Sequence, residues 1–467
     1  MFGSSTQESS PNNNTDSNPD ESIRHVIRSS KLMPTLEDYQ SRKIVVYIIK
    51  NIAIKFAERK QRLSFSMNTD PKSPEIFIHE NGSYLMDTWE PDSDVDVILI
   101  APKYFTYKDF FEGFYEELIR HPSIKETIKV ENAFVPIIKT VCNDISVDIS
   151  FAPLNNQIKI KNLNNIKKED MDKLEPKAQL SLNGYLNCLL IRDLMKNHPN
   201  FPYFTRFIRN WAQKREIFGN LYGYLKGINI SMMCAIICNQ HPNCSLSMLI
   251  FHFFEYFSSW DWDIQLNLDS NTPDFQLNDP MILMTQSYPQ INSLRAVTTS
   301  SRKRIIKELQ RALETTKKAL ISDLSWQELF KGGCFFADYR YFLCIDLIPT
   351  NSQIKDEIIG FLSSKLTRLV KILEEIPGIC EANIWPSKIS YGGKIIFYIG
   401  LNTKSGQSKT IDINHAKNNF ISYISSSTLG KAMSINFKII RKKELKQEPL
   451  QSEVIERSLQ SKAKLSP

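Results

Sequence analysis

Asp94-Val95-Asp96 follows closely on the turn Asn81-Gly82-Ser83-Tyr84, and a third aspartate, Asp148, sits in the apolar run Ile145-Ser146-Val147-Asp148-Ile149-Ser150-Phe151. The segment Asp96-Val97-Ile98-Leu99-Ile100 reads as a buried strand. Side chains alternate between faces along a strand, so Asp94 and Asp96 point the same way. Carboxylates aimed at one spot repel each other unless cations sit between them. The run around Asp148 reads as a neighbouring strand that brings in the third carboxylate. An aspartate flanked by Val, Ile and Phe is costly without a partner. Three oxygen ligands of this kind suit Mg²⁺, which keeps its remaining positions for water and phosphate oxygens. Two such ions side by side serve in-line displacement at phosphorus. Gly82 lets backbone approach a phosphate closely, and Ser83 can donate to it. A lone Asp-x-Asp is more often a solvated strand end. The upstream Gly-Ser and the apolar setting of Asp148 are what separate this chain from that reading.

The elements that must position these residues follow from periodicity. Val45, Ile48, Ile49, Ile52 and Phe56 recur at helical spacing, predicting a helix from Thr35 to about Arg62. Phe110, Phe111, Phe114 and Leu118 mark a helix, and Ala133 to Ile138 reads as a strand before that of Asp148. This β-α-β-β order predicts a small mixed sheet backed by helices. Residues 156–175, rich in Asn, Lys and Asp, read as a linker or exposed loop. From Leu180 to about residue 330 helical periodicity dominates, with stripes such as Leu186-Leu189-Leu190 and Phe251-Phe254-Phe257 that read as core. Arg302-Lys303-Arg304 opens a further helix, by default as a solvated face and alternatively as a phosphate-tracking one carried by Arg302 and Lys303. A strand Tyr341 to Ile348, one long helix Ile354 to about Ile376, strands Ala382 to Trp385 and Lys394 to Leu401, a helix Ala416 to Ile424 and a strand Ile435 to Ile440 complete a β-α-β-β-α-β pattern. That order is ferredoxin-like, an arrangement shared with RNA-recognition modules.

The chain has 467 residues and a net charge of +7, long enough for about three domains and mildly basic. The basic excess is compatible with a polyanionic partner without demanding one. No apolar run reaches the roughly 18 residues that span a bilayer, and Met1-Phe2-Gly3-Ser4-Ser5 lacks the pattern of a secretory signal. An intracellular protein with reduced core thiols is therefore expected, the 8 cysteines being scattered through apolar runs. Cys234, Cys238, His241 and Cys244 raise zinc as a possibility. The expectation is against it, because no Cys-x-x-Cys pair is present and Cys234 and Cys238 fall on the apolar face of a helix. Residues 1–25, mostly Ser, Asn, Pro and Asp, are expected to be disordered.

At these motifs the chain resembles the eukaryotic nuclear poly(A) polymerases, of the DNA polymerase β nucleotidyltransferase superfamily. The resemblance runs from about Phe77 to Ile345, with a fainter trace to about Ile440. Besides the aspartates it rests on Val130-Glu131-Asn132-Ala133-Phe134-Val135-Pro136, Ser181-Leu182-Asn183-Gly184, Trp211-Ala212-Gln213-Lys214-Arg215 and Tyr288-Pro289-Gln290-Ile291-Asn292-Ser293. It implies an α+β protein with a polymerase β-like catalytic domain (26–160), a helical central domain completing the nucleotide pocket (161–332) and a ferredoxin-like, RRM-like RNA-binding domain (333–441), while the charged, Gln-rich composition of residues 442–467 predicts a mobile tail. The implied reaction is template-independent addition of AMP from ATP to RNA 3′ ends, in mRNA polyadenylation. Two Mg²⁺, with Mn²⁺ as substitute, would be held by Asp94, Asp96 and Asp148. Gly82 and Ser83 would meet the phosphates, and Asn183 the ribose. Arg209, Phe218, Asn220, Gly227 and Ile228 would complete the nucleotide pocket. RNA would be met by Asp148, Arg302 and Lys303. The implied partners are ATP, RNA and mRNA 3′-end processing factors, without membrane or DNA, in the nucleus. Three positions depart from the family: Arg209 and Phe218 stand where it has lysine and tyrosine, and Lys226 where it has glycine. They bear on ATP affinity and base selection and leave the aspartates alone. The alternatives are a uridylate-adding tailing enzyme with the same metals, or a weakly catalytic RNA-binding scaffold.

Overall fold

A computed structural model of the chain describes residues 18–64, 76–155, 166–268, 273–333, 335–351, 354–404 and 412–447. Helices α1 (Pro19–Ser29) and α2 (Leu36–Ser64) precede a sheet of β1 (Phe77–Glu80), β2 (Val95–Pro102), β3 (Ile124–Val130), β4 (Ile137–Cys142) and β5 (Ile145–Leu154). Between them lie α3 (Gly82–Leu85), α4 (Tyr107–Asp109), a π turn Phe110–Phe114 and α5 (Tyr115–Ile119). The strand order is β1-β2-β5-β4-β3, with β2 and β5 parallel and the other pairs antiparallel. β2 and β5 are buried on both faces, which is why they read as nearly continuous apolar runs. Val97, Leu99, Ile149 and Phe151 pack under α2 through Val45, Ile49 and Phe56. Ile98, Ile100, Ala152 and Leu154 face the other way, against α6 (Lys168–Met171) and α7 (Pro176–Met195) through Met171, Ala178, Leu182 and Leu186. Alternation therefore puts Asp96 and Asp148 on the α7 side.

Four local expectations are corrected. Disorder to residue 25 fails from Asn18 onward, because α1 buries Ile23, Val26 and Ile27 in the helical core; residues 1–17 lie outside the described set. The strand placed at Ala133–Ile138 starts only at Ile137. Residues 131–135 turn, Pro136 has no N–H for a ladder, and the preceding strand at Ile124–Val130 was not anticipated. Of the supposed linker, residues 166–175 include α6 and the buried Met171 and Leu174, whereas 156–165 lie outside the described residues. The basic run is not a uniformly solvated face: Arg304 is buried, with Asp338 at 3.2 Å and Glu216 at 3.7 Å.

α8 (Phe201–Lys214), α9 (Gly227–Gln240), α10 (Leu246–Ser259) and α11 (Thr299–Leu320) form the helical core, joined by the short pair β6 (Leu266–Asn267) and β7 (Leu283–Met284). The C-terminal part comprises α12 (Phe335–Asp338), β8 (Tyr341–Pro349), α13 (Lys355–Ser363), α14 (Leu366–Glu374), β9 (Ile379–Ile384), β10 (Ile389–Tyr391), β11 (Lys394–Thr403), α15 (Asn414–Ser425) and β12 (Met433–Arg441). β8 lies between β12 and β11, and β11 also pairs β9, all antiparallel, which is the ferredoxin-like arrangement. The helix expected over 354–376 is broken at Ser364–Lys365 into α13 and α14. One sheet face is covered by α13, α14 and α15. The other carries a cluster of Phe335, Phe336, Trp385, Tyr398 and Leu445. RNA-recognition modules stack bases on open sheet aromatics; these are buried. Leu445 and the bond from Lys442 Nζ to the Ala337 carbonyl (2.8 Å) anchor the start of the supposed mobile tail, whose residues 448–467 lie outside the described set. Among the described residues no helix is long and apolar enough to cross a membrane.

Candidate active site

Parallel pairing of β2 with β5 sets Asp96 directly beside Asp148, on strands about 4.8 Å apart. Asp94 lies just before β2 and is exposed, yet its charge acts on both of the others. Burial first, then Asp148 and Asp94, push Asp96 up to about 7; Lys139 and Arg209 act against this. Asp148 is also raised, by burial above all, although Lys139 Nζ donates to its Oδ2 at 2.6 Å. Lys139 stands on β4 opposite Asp148. A site that crowds three carboxylates and leaves two of them reluctant to ionise fits divalent cations, which would restore the missing positive charge.

The loop before Asp94 is held from α2, where the buried Arg42 donates to the carbonyls of Pro91 (2.7 Å) and Ser93 (2.8 Å) and stacks on Trp89. Asn81 N–H donates to the Asp96 carbonyl at 2.8 Å, pinning the Gly82 turn to β2. Gly82 has φ +56°, and a Cβ there would collide with the Asp96 carboxylate. Only glycine meets both demands at this position.

A cleft of about 540 Å³ opens over this corner. Gly82, Ser83, Asp94 and Asp96 line one side, and Arg209, Phe218, Lys226, Gly227 and Ile228 the other. Arg209 rises from α8, nearly buried, with Glu90 at 3.7 Å and Thr88 Oγ1 at 3.4 Å. Burial lowers the pKa of Arg209 and raises that of Glu90, each partly offset by the other's charge. Lys226 precedes α9, and burial, then Arg295, lower its pKa. The cleft thus joins cationic groups, an aromatic and an aliphatic surface to the carboxylates.

Four of the residues singled out from sequence are placed elsewhere. Asn183 is buried on α7 and its Nδ2 donates to the carbonyls of Ser287 (2.6 Å) and Pro289 (2.8 Å), positioning that loop. Asn220 opens a short turn beside Phe218 and is not among the cleft residues. Arg302 pairs with Asp263 at 2.5 Å, and Lys303 is exposed on α11. Sequence reasoning missed Lys139, Glu90, Gln213 and Cys188, a cleft thiol that burial first and then Asp96 push up to about 12. For Lys139 a signal existed: period-2 alternation from Ile137 puts it across from Asp148.

Comparison with known proteins gives three consecutive matches. The poly(A) polymerase nucleotidyltransferase domain matches residues 5–187, the poly(A) polymerase central domain 200–332, and the poly(A) polymerase predicted RNA binding domain 334–392. Poly(A) polymerase PAPa of Candida albicans is 30% identical over 362 residues, covering 72% of this chain and 65% of its own length. The poly(A) polymerase of Entamoeba histolytica is 29% identical, covering 81% and 73%, and that of Dictyostelium discoideum 29%, covering 78% and 49%. The chain thus spans from 49% to 73% of the length of these relatives. Among solved structures, mtPAP in complex with UTP shares the fold with a TM-score of 0.51 at 12% identity, covering 71% of this chain and 77% of that one. A Cid1 poly(U) polymerase mutant bound to MgATP does so with a TM-score of 0.50 at 14% identity, covering 67% and 98%. Similarity to solved structures at this level concerns the fold alone, but the three domain matches run in order along one polypeptide and the sequence relatives agree with them: the chain belongs to the poly(A) polymerase family of the nucleotidyltransferase superfamily.

Proposed function

We propose that the chain is a template-independent adenylyltransferase that adds AMP from ATP to RNA 3′ ends, with Mg²⁺ held by Asp94, Asp96 and Asp148. The observation that carries this is the register of Asp96 beside Asp148, with the Gly82 turn fitted against the Asp96 carboxylate at the mouth of a cationic cleft. Bound there, the cations would make the attacking 3′ hydroxyl more acidic and balance charge on the triphosphate and leaving pyrophosphate. The chain's own contribution is placement. The Gly82-Ser83 turn and the Arg209 and Lys226 charges receive the phosphates, and Phe218 and Ile228 offer the base apolar contact. The hydroxyl oxygen bonds to the α-phosphorus as the bond to pyrophosphate breaks. Lys139 keeps Asp148 oriented along β4. Because the sheet face of the C-terminal part is sealed, RNA would be bound by other surfaces of that part and by the exposed Lys303, the Arg302 guanidinium being paired.

One observation favours a second reading, uridylate addition. mtPAP has been solved with UTP and with GTP, and a poly(U) polymerase shares the fold, while Arg209, Phe218 and Lys226 alter the pocket wall. The scaffold reading leaves the crowding of three carboxylates unexplained. The test is extension of a short oligoadenylate primer with Mg²⁺ and each nucleoside triphosphate separately. ATP should be used in clear preference to UTP, CTP and GTP. A UTP preference would transfer the chain to the second reading, and no extension with any nucleotide would sink both. Processing-factor partners and a nuclear location belong to the same proposal and rest on family likeness.

A further inference from the structure

We propose that His241, Cys244 and His252 form a second metal site, for Zn²⁺ or a similar thiolate-accepting cation, at the turn between α9 and α10. Their potential ligand atoms all lie within 4.8 Å of one another, and each residue is half-buried. The backbone that carries them is fixed. His241 ends α9 with its N–H on the Ile237 carbonyl (2.9 Å), and Cys244 N–H returns to the His241 carbonyl (3.2 Å). The next residues are held from α1: Asp20 accepts from the Leu246 and Ser247 N–H groups, both at 2.9 Å. His252 then comes back from the second turn of α10 to stack on His241, ring centroids 4.0 Å apart and planes within 5°.

The chemistry of the set is selective. Two imidazoles and one thiolate suit zinc and its neighbours and are a poor match for Mg²⁺, which takes oxygen ligands. Glu255 Oε2 lies 3.1 Å from His252 Nδ1. A carboxylate behind a histidine in this way fixes the ring and leaves Nε2 free to ligate. Ligands on one tetrahedral zinc lie about 3.5 Å apart, given bonds of about 2.0–2.3 Å. Closing the site therefore requires one ring to turn out of the stack, which its partial exposure permits. Water would fill the fourth position. The buried Cys234 and Cys238 belong to the helical core and take no part. Such an ion would pin one end of α9, whose other end brings Gly227 and Ile228 to the cleft.

The test uses the full-length chain, reduced and metal-free, titrated with Co²⁺ and followed by absorbance. A saturable thiolate-to-cobalt band is expected at one equivalent, displaced by Zn²⁺. Because Cys188 lines the aspartate cleft, the titration is repeated in Cys188→Ser, where the band should persist. Cys244→Ser should abolish the band with the melting curve of the apo protein unchanged. His252→Gln should weaken it, and Glu255→Gln should lower affinity roughly tenfold or more. No saturable band in the wild type, or a band of full intensity in Cys244→Ser, overturns the proposal. Neither outcome depends on whether the chain extends RNA.

Discussion

Asp96→Asn keeps the size of the side chain and removes its charge. Asp96 is pushed up to about 7 from an ordinary 3.8 by burial and by its two acidic neighbours. Between those values the folded chain holds a proton that the unfolded chain has released, so the wild type loses stability as pH rises from about 4 to about 7. A difference of about three units at about 1.4 kcal/mol each sets a ceiling near 4 kcal/mol. Asp96 is not fully closed to solvent, and half the ceiling, about 2 kcal/mol, is the expected gain for the variant above pH 7. For a folding unit of about 200 residues that corresponds to roughly 4–8 °C in Tm. The assay is thermal melting in EDTA at several pH values from 5 to 8, wild type against variant. The gap should widen with pH and level off above 7. Added Mg²⁺ should stabilise the wild type and not the variant, which should extend no primer. A variant no more stable than the wild type at pH 8, or a gap independent of pH, would refute the electrostatic crowding inferred from the register of β2 and β5.

Gly82→Ala places a methyl group against the Asp96 carboxylate on a backbone of positive φ. We expect about 1–3 kcal/mol of destabilisation and a fall of at least tenfold in primer extension; full activity would show that the turn does not need glycine. Asp20→Ala removes the side chain that accepts from the first N–H groups of α10 and should cost about 1–2 kcal/mol by denaturant titration. Burial pushes Asp20 up, but the Ser247 hydroxyl, the N–H groups of Ser247 and Leu246, and Arg24 outweigh it and hold the carboxyl below its usual value. Its contribution is therefore present above about pH 4 and lost as pH falls further, so wild type and variant should converge in acid; an equal gap at pH 7 and pH 3 would count against the cap.

Local pattern alone was enough for the two aspartate strands, the α2 helix and the ferredoxin-like order, because each rests on a period of 2 or 3.6 that survives in one dimension. Motif likeness then supplied the family and the candidate pocket around Arg209, Phe218 and Ile228. Other features depended on partners distant in sequence. α1 forms because Asp20 and Ile23 meet the helical core around Leu246 and Ser247, an association that the polar composition of the N-terminus conceals. Asn183 serves the Ser287–Pro289 loop, and Lys139 serves Asp148 across a strand pair. His252 joins His241 and Cys244 only because α10 folds back beside the end of α9. The residue types and their spacing dictated which chemistry is available, since a carboxylate's charge and a strand's alternation are local properties. Packing decided which charges are buried together and which apolar faces are sealed, since pKa and access depend on neighbours that only the folded chain assembles.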